Sequence, residues 1–130
     1  MNKIVAIILG AIVIIGGFLW LASANGSSAK SDDMTFATVE ADVTKGAKLY
    51  DVRTPAEFAA GHFAGAINYP LQDLQEGKLP DVPTSTKLYV YCQSGNRSGL
   101  ATKILRDAGY EVVDLRGLSN VQAIGGTLAK

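Results

Sequence analysis

One segment of this chain has the pattern of a strand, a tight loop and a helix, and this pattern constrains the fold more than any other feature. Residues 87–91 read Lys-Leu-Tyr-Val-Tyr, a β-branched and aromatic run that is typical of a buried strand. Apolar residues then recur at helical spacing: Leu100, Ala101, Ile104, Leu105 and Ala108. This spacing predicts a helix over residues 98–108, ended by Gly109. A strand followed directly by a helix is the unit from which parallel α/β sheets are built.

The rest of the chain beyond its amino terminus alternates in the same way. We predict strands over residues 47–52, 66–69 and 111–115, and helices over residues 39–45, 55–60, 71–78 and 119–124. Thr38 is expected to cap the first of these helices, and Pro55 suits the first turn of the second. The alternation therefore predicts an α/β fold with an open, buried parallel sheet and helices on both faces.

Residues 4–21 are an apolar run broken only by glycines, preceded by Met-Asn-Lys and followed by a small and polar stretch. This pattern fits an export signal or a single membrane anchor, formed by one apolar helix. Ala22-Ser23-Ala24 suits a cleavage site, whereas the length of the run is closer to a full bilayer span, and we expect a retained anchor. Lys3 should keep the amino end in the cytoplasm and place the domain on the periplasmic side.

The sequence therefore predicts that the chain has three parts. Residues 1–24 are the signal peptide or anchor, residues 25–34 a flexible linker, and residues 35–130 a domain with one core. The 12 Lys and Arg residues balance the 12 Asp and Glu residues, and no basic stripe is interleaved with aromatic residues. The composition therefore gives no sign of a nucleic-acid partner.

Cys92 is the only cysteine, so it has no partner for an internal disulfide, and it follows the predicted strand directly. Ligands of open α/β sheets lie at such strand ends. A loop around Gly95 and the amino end of the next helix would surround the sulfur with backbone N–H groups, and Arg97 adds a positive charge. These surroundings favour a thiolate, which predicts a nucleophile. The alternative is an inert cysteine buried in the core.

Two stretches resemble the rhodanese family of sulfurtransferases. Residues 91–98 read Tyr-Cys-Gln-Ser-Gly-Asn-Arg-Ser and are similar to the Cys-x-x-Gly-x-Arg-Ser/Thr loop of that family. Residues 50–58 and 61–70 read Tyr-Asp-Val-Arg-Thr-Pro-Ala-Glu-Phe and Gly-His-Phe-Ala-Gly-Ala-Ile-Asn-Tyr-Pro. They resemble the family's Asp-Val-Arg, Glu-Phe, Gly-His-Ile and Gly-Ala-Ile-Asn-Pro signature. The resemblance covers residues 35–126 and is nearest to the small, single-domain bacterial members.

The resemblance implies an enzyme of the thiosulfate sulfurtransferase type. Cys92 would take a sulfur atom from a small anion such as thiosulfate, and a thiol, cyanide or a sulfur-accepting protein would remove it. No cofactor is implied. The substrate-binding residues implied by the family loop are Gln93, Ser94, Gly95, Asn96, Arg97 and Ser98.

Asp51 and Arg53 are the supporting residues that the resemblance implies. For Asp51 we expect a structural hydrogen-bonding role, whereas Arg53 suits either a structural role or attraction of a substrate anion. Arg53 and Glu57 are near neighbours at a predicted helix start, where pairing or capping would account for both.

Three alternatives use the same residues. A cysteine phosphatase is disfavoured because its loop has one residue more between cysteine and arginine than the four found between Cys92 and Arg97. A Cys-His hydrolase would need His62, the only histidine, as its base. A metal site built from thiolate and imidazole ligands is disfavoured, because the sequence has one Cys and one His. A membrane-anchored sulfur carrier or binding module with little turnover of free substrates stays open.

The chain departs from the family pattern in two places. The family often ends with Gly-Gly followed shortly by Trp, whereas here residues 117–126 contain no Trp, and the only one is Trp20. We therefore expect one wall of the site to be built differently. Gln93, Ser94 and Asn96 are small and polar where other loops carry basic side chains, so we expect thiosulfate to bind weakly.

Overall fold

The structure is a computed structural model that describes residues 34–130, of which Thr35–Lys130 form one compact unit. The predicted signal or anchor and nearly all of the predicted linker lie outside the described residues. Within residues 34–130, no helix is both long enough and apolar enough to cross a bilayer.

The described part of the chain has six strands. They are β1 Lys48–Asp51, β2 His62–Phe63, β3 Ala66–Asn68, β4 Lys87–Tyr91, β5 Glu111–Arg116 and β6 Leu128–Ala129. Four of them form a sheet in the order β3-β1-β4-β5, with every neighbouring pair parallel. The short strands β2 and β6 pair with each other in antiparallel fashion. The parallel sheet predicted from the alternating pattern is therefore confirmed.

Among residues 34–130, five helices pack around the sheet: α1 Phe36–Thr44, α2 Pro55–Ala60, α3 Leu71–Gln75, α4 Asn96–Asp107 and α5 Leu118–Ala123. Successive side chains of the central strand β4 point to opposite faces and divide the core into two clusters. Leu88 and Val90 pack in a first cluster with residues of α3 and α4. Tyr89 and Tyr91 pack in a second cluster with residues of α1 and α5. Helices thus cover both faces, as predicted.

Several element boundaries differ from the prediction. The first helix begins at Phe36 and is capped by Thr35, so the predicted cap at Thr38 is wrong. The backbone N–H of Thr38 instead donates to Oγ1 of Thr35 at 3.3 Å. The earlier start has a tertiary cause, because Phe36 is buried in the second cluster and its N–H donates to the carbonyl of Ile124 at 2.8 Å.

The helix after Cys92 also starts earlier than predicted. It begins at Asn96 rather than residue 98, because Gly95 precedes it in the left-handed region with φ +107° and makes the turn from the strand. Helix α3 ends at Gln75, three residues before its predicted end, and Gly77 follows with φ +87°. The β2 and β6 pair was not predicted, since neither strand exceeds two residues.

Candidate active site

Cys92 lies at the carboxyl end of β4 and is fully buried, with 0% of its surface exposed. Its backbone N–H donates to the carbonyl of Arg116 at 2.8 Å, which fixes the start of the loop against the end of β5. Its sulfur accepts a hydrogen bond from the N–H of Gly95 at 2.9 Å. The Cys92 loop, residues 92–98, therefore folds back so that a backbone donor points at the sulfur.

The amino end of α4 adds further donors to this loop. The first backbone bond of α4 runs from Gly99 N to Gly95 O at 3.1 Å, so the N–H groups of Asn96, Arg97 and Ser98 have no acceptor within the helix. The hydroxyl of Ser98 is buried and donates to the carbonyl of Gly95 at 3.0 Å, which closes the turn. This arrangement is a ready-made site for negative charge.

Gly117 forms the opposite wall of the Cys92 loop. It bridges to Ser94, and the N–H of Leu118 donates to the carbonyl of Gln93 at 3.1 Å. A Cβ atom on Gly117 would lie 2.8 Å from that carbonyl oxygen and 3.0 Å from the Cα of Ser94. Sequence reasoning did not pick out this glycine, although a glycine directly after a strand is a signal for close backbone approach.

Arg97 is held by Glu57, whose role in the site was not predicted. The guanidinium of Arg97 donates from Nη1 to Oε1 and from Nη2 to Oε2 of Glu57, at 2.7 and 3.0 Å. Glu57 also accepts from the backbone N–H of Thr54 in a capping box at the start of α2. Hydrogen bonds from Arg97, ahead of those from Thr54, lower the pKa of Glu57 to about 2.

The charge on Arg97 is thus paired, yet it stays close to the thiol. Its bonds to Glu57 raise the pKa of Arg97 most, and the neighbouring Cys92 side chain contributes in the same direction. The pairing of Arg53 with Glu57 that the sequence suggested does not form. Glu57 instead reaches a partner forty residues away, and its position in the capping box gave no sign of that contact.

Arg53 is buried and bound to Asp51. Nε of Arg53 lies 2.9 and 3.0 Å from the two carboxylate oxygens, and Nη2 lies 2.6 Å from Oδ2. Their exposed fractions are 3% and 0%, and the hydrogen bond to Asp51 raises the pKa of Arg53. Arg53 also donates to the carbonyl of Gly61 at 2.6 Å and to Oε1 of Gln93 at 3.4 Å. The pair therefore links strand β1 to the Cys92 loop.

His62 contacts Phe58 rather than the thiol of Cys92. Its Nδ1 lies 2.9 Å from the carbonyl of Phe58, and its ring stacks on that of Phe58 with 3.8 Å between centroids. Within residues 34–130, no hydrogen bond joins His62 to Cys92. The same described residues contain no group of three or more His, Cys, Asp or Glu side chains arranged to hold a metal ion.

A cleft of about 600 Å³ lies beside the Cys92 loop. The start of α2, helix α3 and Arg97 form its walls. Two of its lining residues, Val52 and Leu71, belong to the core cluster that contains Cys92. The cleft therefore borders the core cluster to which the thiol belongs.

The family model of the rhodanese-like domain matches residues 35–120. The chain belongs to the rhodanese-like domain family. The sulfurtransferase resemblance seen in the two motifs is therefore confirmed at the level of the family.

Curated relatives of this rhodanese-like chain include two bacterial proteins. The uncharacterized protein YqhL of Bacillus subtilis is 44% identical over 72 residues, which cover 55% of this chain and 56% of YqhL. The thiosulfate sulfurtransferase PspE of Escherichia coli K12 is 40% identical over 68 residues, which cover 52% of this chain and 65% of PspE. The chain thus spans less than two thirds of either relative.

Solved structures with the same fold include the Rhodanese_3 like domain of the Alr3790 protein from Anabaena sp.. It superposes with a TM-score of 0.58 at 31% identity and covers 65% of this chain and 100% of its own. A rhodanese with anions from E. coli gives a TM-score of 0.54 at 34% identity and covers 65% of this chain and 99% of its own.

Proposed function

We propose that this protein transfers a sulfane sulfur through a persulfide on Cys92, with thiosulfate or a similar anion as donor and a thiol, cyanide or a protein as acceptor. The observation that carries the proposal is the 2.9 Å hydrogen bond from the N–H of Gly95 to the sulfur of Cys92. It directs a backbone donor at the reacting atom, where negative charge would be held before and after transfer.

The proposed reaction has two steps. The Cys92 thiolate attacks the outer sulfur of thiosulfate, the sulfur–sulfur bond of the donor breaks, and its electron pair leaves with sulfite. The terminal sulfur of the new persulfide carries the negative charge, next to the N–H groups of Gly95 and of the first turn of α4. An acceptor thiolate or cyanide then attacks that terminal sulfur and restores the Cys92 thiolate.

Two relatives that are named sulfurtransferases support this proposal. PspE is a thiosulfate sulfurtransferase, and the yeast relative uba4 of Ogataea parapolymorpha, 43% identical over 70 residues, is an adenylyltransferase and sulfurtransferase. That match covers 18% of the yeast protein, so it supports sulfur transfer by the matched domain and says nothing of the rest of that protein. The loop residues Gln93 to Ser98 are proposed as the substrate-binding residues, with Asp51 and Arg53 in support.

Sulfur loading tests the proposal directly. The full-length chain treated with thiosulfate is expected to gain one sulfur atom, measured by intact mass spectrometry and removed by cyanide. The Cys92→Ser variant is expected to gain none, because serine cannot form the persulfide. A wild-type chain that takes up no cyanide-removable sulfur contradicts the proposal. Loading without steady-state turnover on free acceptors would support the sulfur-carrier alternative instead.

We also propose that the domain faces the periplasm and is held at the membrane by residues 4–21. The support is the apolar run itself, its single preceding lysine and the polar stretch that follows. Masses of the amino terminus from membrane and soluble fractions are expected to show the uncleaved chain in the membrane fraction. A soluble chain that starts after Ala24 would point to a cleaved export signal.

A further inference from the structure

A second cleft, of about 640 Å³, lies between helix α4 and strand β5. This volume is in the range of sites that bind small molecules, and no residue of the Cys92 loop lines the cleft. Gly99, Thr102 and Arg106 are spaced along one face of α4 and form one wall. The other wall is formed by residues of β5, namely Val112, Val113, Asp114 and Arg116.

Positive charge is in excess in this cleft. Its lining contains three cations and two carboxylates, which are Lys103, Arg106 and Arg116 against Asp107 and Asp114. Lys103 and Asp107 pair at 3.0 Å, so their charges cancel. Among residues 34–130, neither Arg106 nor Arg116 forms an ion pair. Two guanidinium groups against the single carboxylate of Asp114 leave one unit of positive charge to attract an anion.

Arg106 is held in place by the strand that it faces across the cleft. Its Nη2 donates to the carbonyl of Val112 at 2.8 Å, and its other N–H groups bond to no other described residue. The planar guanidinium is thus oriented before a ligand arrives, which lowers the entropy cost of binding. Its remaining donors suit the paired oxygens of a phosphate or carboxylate group.

Thr102 adds a polar group that the described fold leaves unsatisfied. The residue is 5% exposed and lines the cleft, and its Oγ1 has no hydrogen-bond partner in the described part of the chain. Buried hydroxyl groups without a partner are rare, because they lose their bonds to water and gain none in return. Valine would fill the same space without this cost. A ligand oxygen in the cleft would give the hydroxyl the partner that it lacks.

Arg116 connects this cleft to the Cys92 loop. Its carbonyl accepts from the N–H of Cys92 at 2.8 Å, and its own N–H donates to Oδ1 of Asp114 at 2.8 Å. Its φ of +70° lies in the left-handed region, which is uncommon for a residue with a side chain. The backbone of Arg116 therefore supports the loop, while the residue is exposed and lines the cleft.

We propose that the cleft between α4 and β5 is a second binding site, for a small molecule that carries a phosphate or carboxylate group, and that Arg106, Arg116 and the hydroxyl of Thr102 bind it. An oxyanion accepts hydrogen bonds from all three groups. Asp114 offers an acceptor for a hydroxyl or amino group of the same ligand. The site does not depend on the proposed sulfur transfer, since none of these residues belongs to the Cys92 loop.

Titration of the full-length chain with inorganic pyrophosphate and, separately, with citrate tests the proposal by amide chemical shifts in NMR. The amides of Thr102, Val113 and Asp114 are expected to shift and saturate with at least one probe, which also shows whether phosphate or carboxylate is preferred. Arg106→Gln is expected to bind that probe about tenfold more weakly, because charge-assisted hydrogen bonds are lost. Lys45→Gln removes the same charge directly after α1, outside this cleft, and is expected to change Kd less than about twofold.

Thr102→Val separates binding from folding. Because Oγ1 has no partner in the described chain, this change is expected to leave the free energy of unfolding equal or higher, while Kd rises about threefold to tenfold. Shifts that are absent from the cleft or confined to the Cys92 loop overturn the proposal, and so does an unchanged Kd in Arg106→Gln or Thr102→Val. Cys92→Ser is expected to bind the probe at the cleft as wild type does, so a failure of sulfur loading would be a separate result.

Discussion

Replacing Asp51 with alanine is expected to lower the free energy of unfolding by about 3–5 kcal/mol, because it leaves the charge of Arg53 buried without its partner. Four hydrogen bonds between Arg53 and the Asp51 carboxylate, at 2.6 to 3.0 Å, would be lost together. For a domain of this size the loss corresponds to a midpoint lower by roughly 15–30 °C. Thermal and urea unfolding of the full-length chain, followed by circular dichroism, measure both quantities.

Asp107→Ala is the matched control for this prediction. Asp107 forms an exposed pair with Lys103 at 3.0 Å on α4, and its loss is expected to cost about 0.5 kcal/mol or less. The double variant Asp51→Ala with Arg53→Met tests the cause. Since a buried ion pair is often replaced by apolar side chains at little cost, the double variant is expected to be more stable than Asp51→Ala alone. Equal stabilities of Asp51→Ala and wild type would show that the pair is not required for folding.

The sheet was predictable because its signals are local. Residues 87–91 and 111–115 carry apolar and β-branched runs whose strands the structure gives as Lys87–Tyr91 and Glu111–Arg116. Helix α2 agrees fully, from Pro55 to Ala60, because proline at its first turn and the Thr54 cap mark its start. In each case a feature within a few residues decides the structure.

The polar contacts of the site were not predictable in the same way. Glu57 has an acceptable local partner in the Thr54 cap, and nothing within its own segment indicates the second contact with Arg97. The suggested pairing of Arg53 with Glu57 does not form, because Arg53 binds Asp51, two residues before it in the chain. Only the parallel pairing of β1 with β4, which puts Asp51 opposite Tyr91, brings the two motifs to one edge.

Gly117→Ala is expected to lower the rate of sulfur loading on Cys92 about a hundredfold, because a displacement of the loop of about 1 Å costs that much when geometry controls the reaction. The new Cβ would lie 2.8 Å from the carbonyl oxygen of Gln93 and 3.0 Å from the Cα of Ser94. Both contacts are to backbone atoms, which cannot rotate away as a side chain does. The Cys92 loop must therefore move.

The backbone of Gly117 itself places no limit on this substitution, since its φ of −95° suits any residue, so the steric contact alone is tested. Overpacking of this kind is expected to cost about 1–3 kcal/mol of stability, and loading should be measured where circular dichroism shows the variant folded. Gly99→Ala is the control: it lies in the first turn of α4, and its Cβ would meet nothing nearer than Oδ2 of Asp114 at 3.9 Å. Alanine there is expected to add up to about 1 kcal/mol of stability and leave the loop in place. Wild-type loading by Gly117→Ala would mean that the wall formed by Gly117 does not hold the sulfur in position.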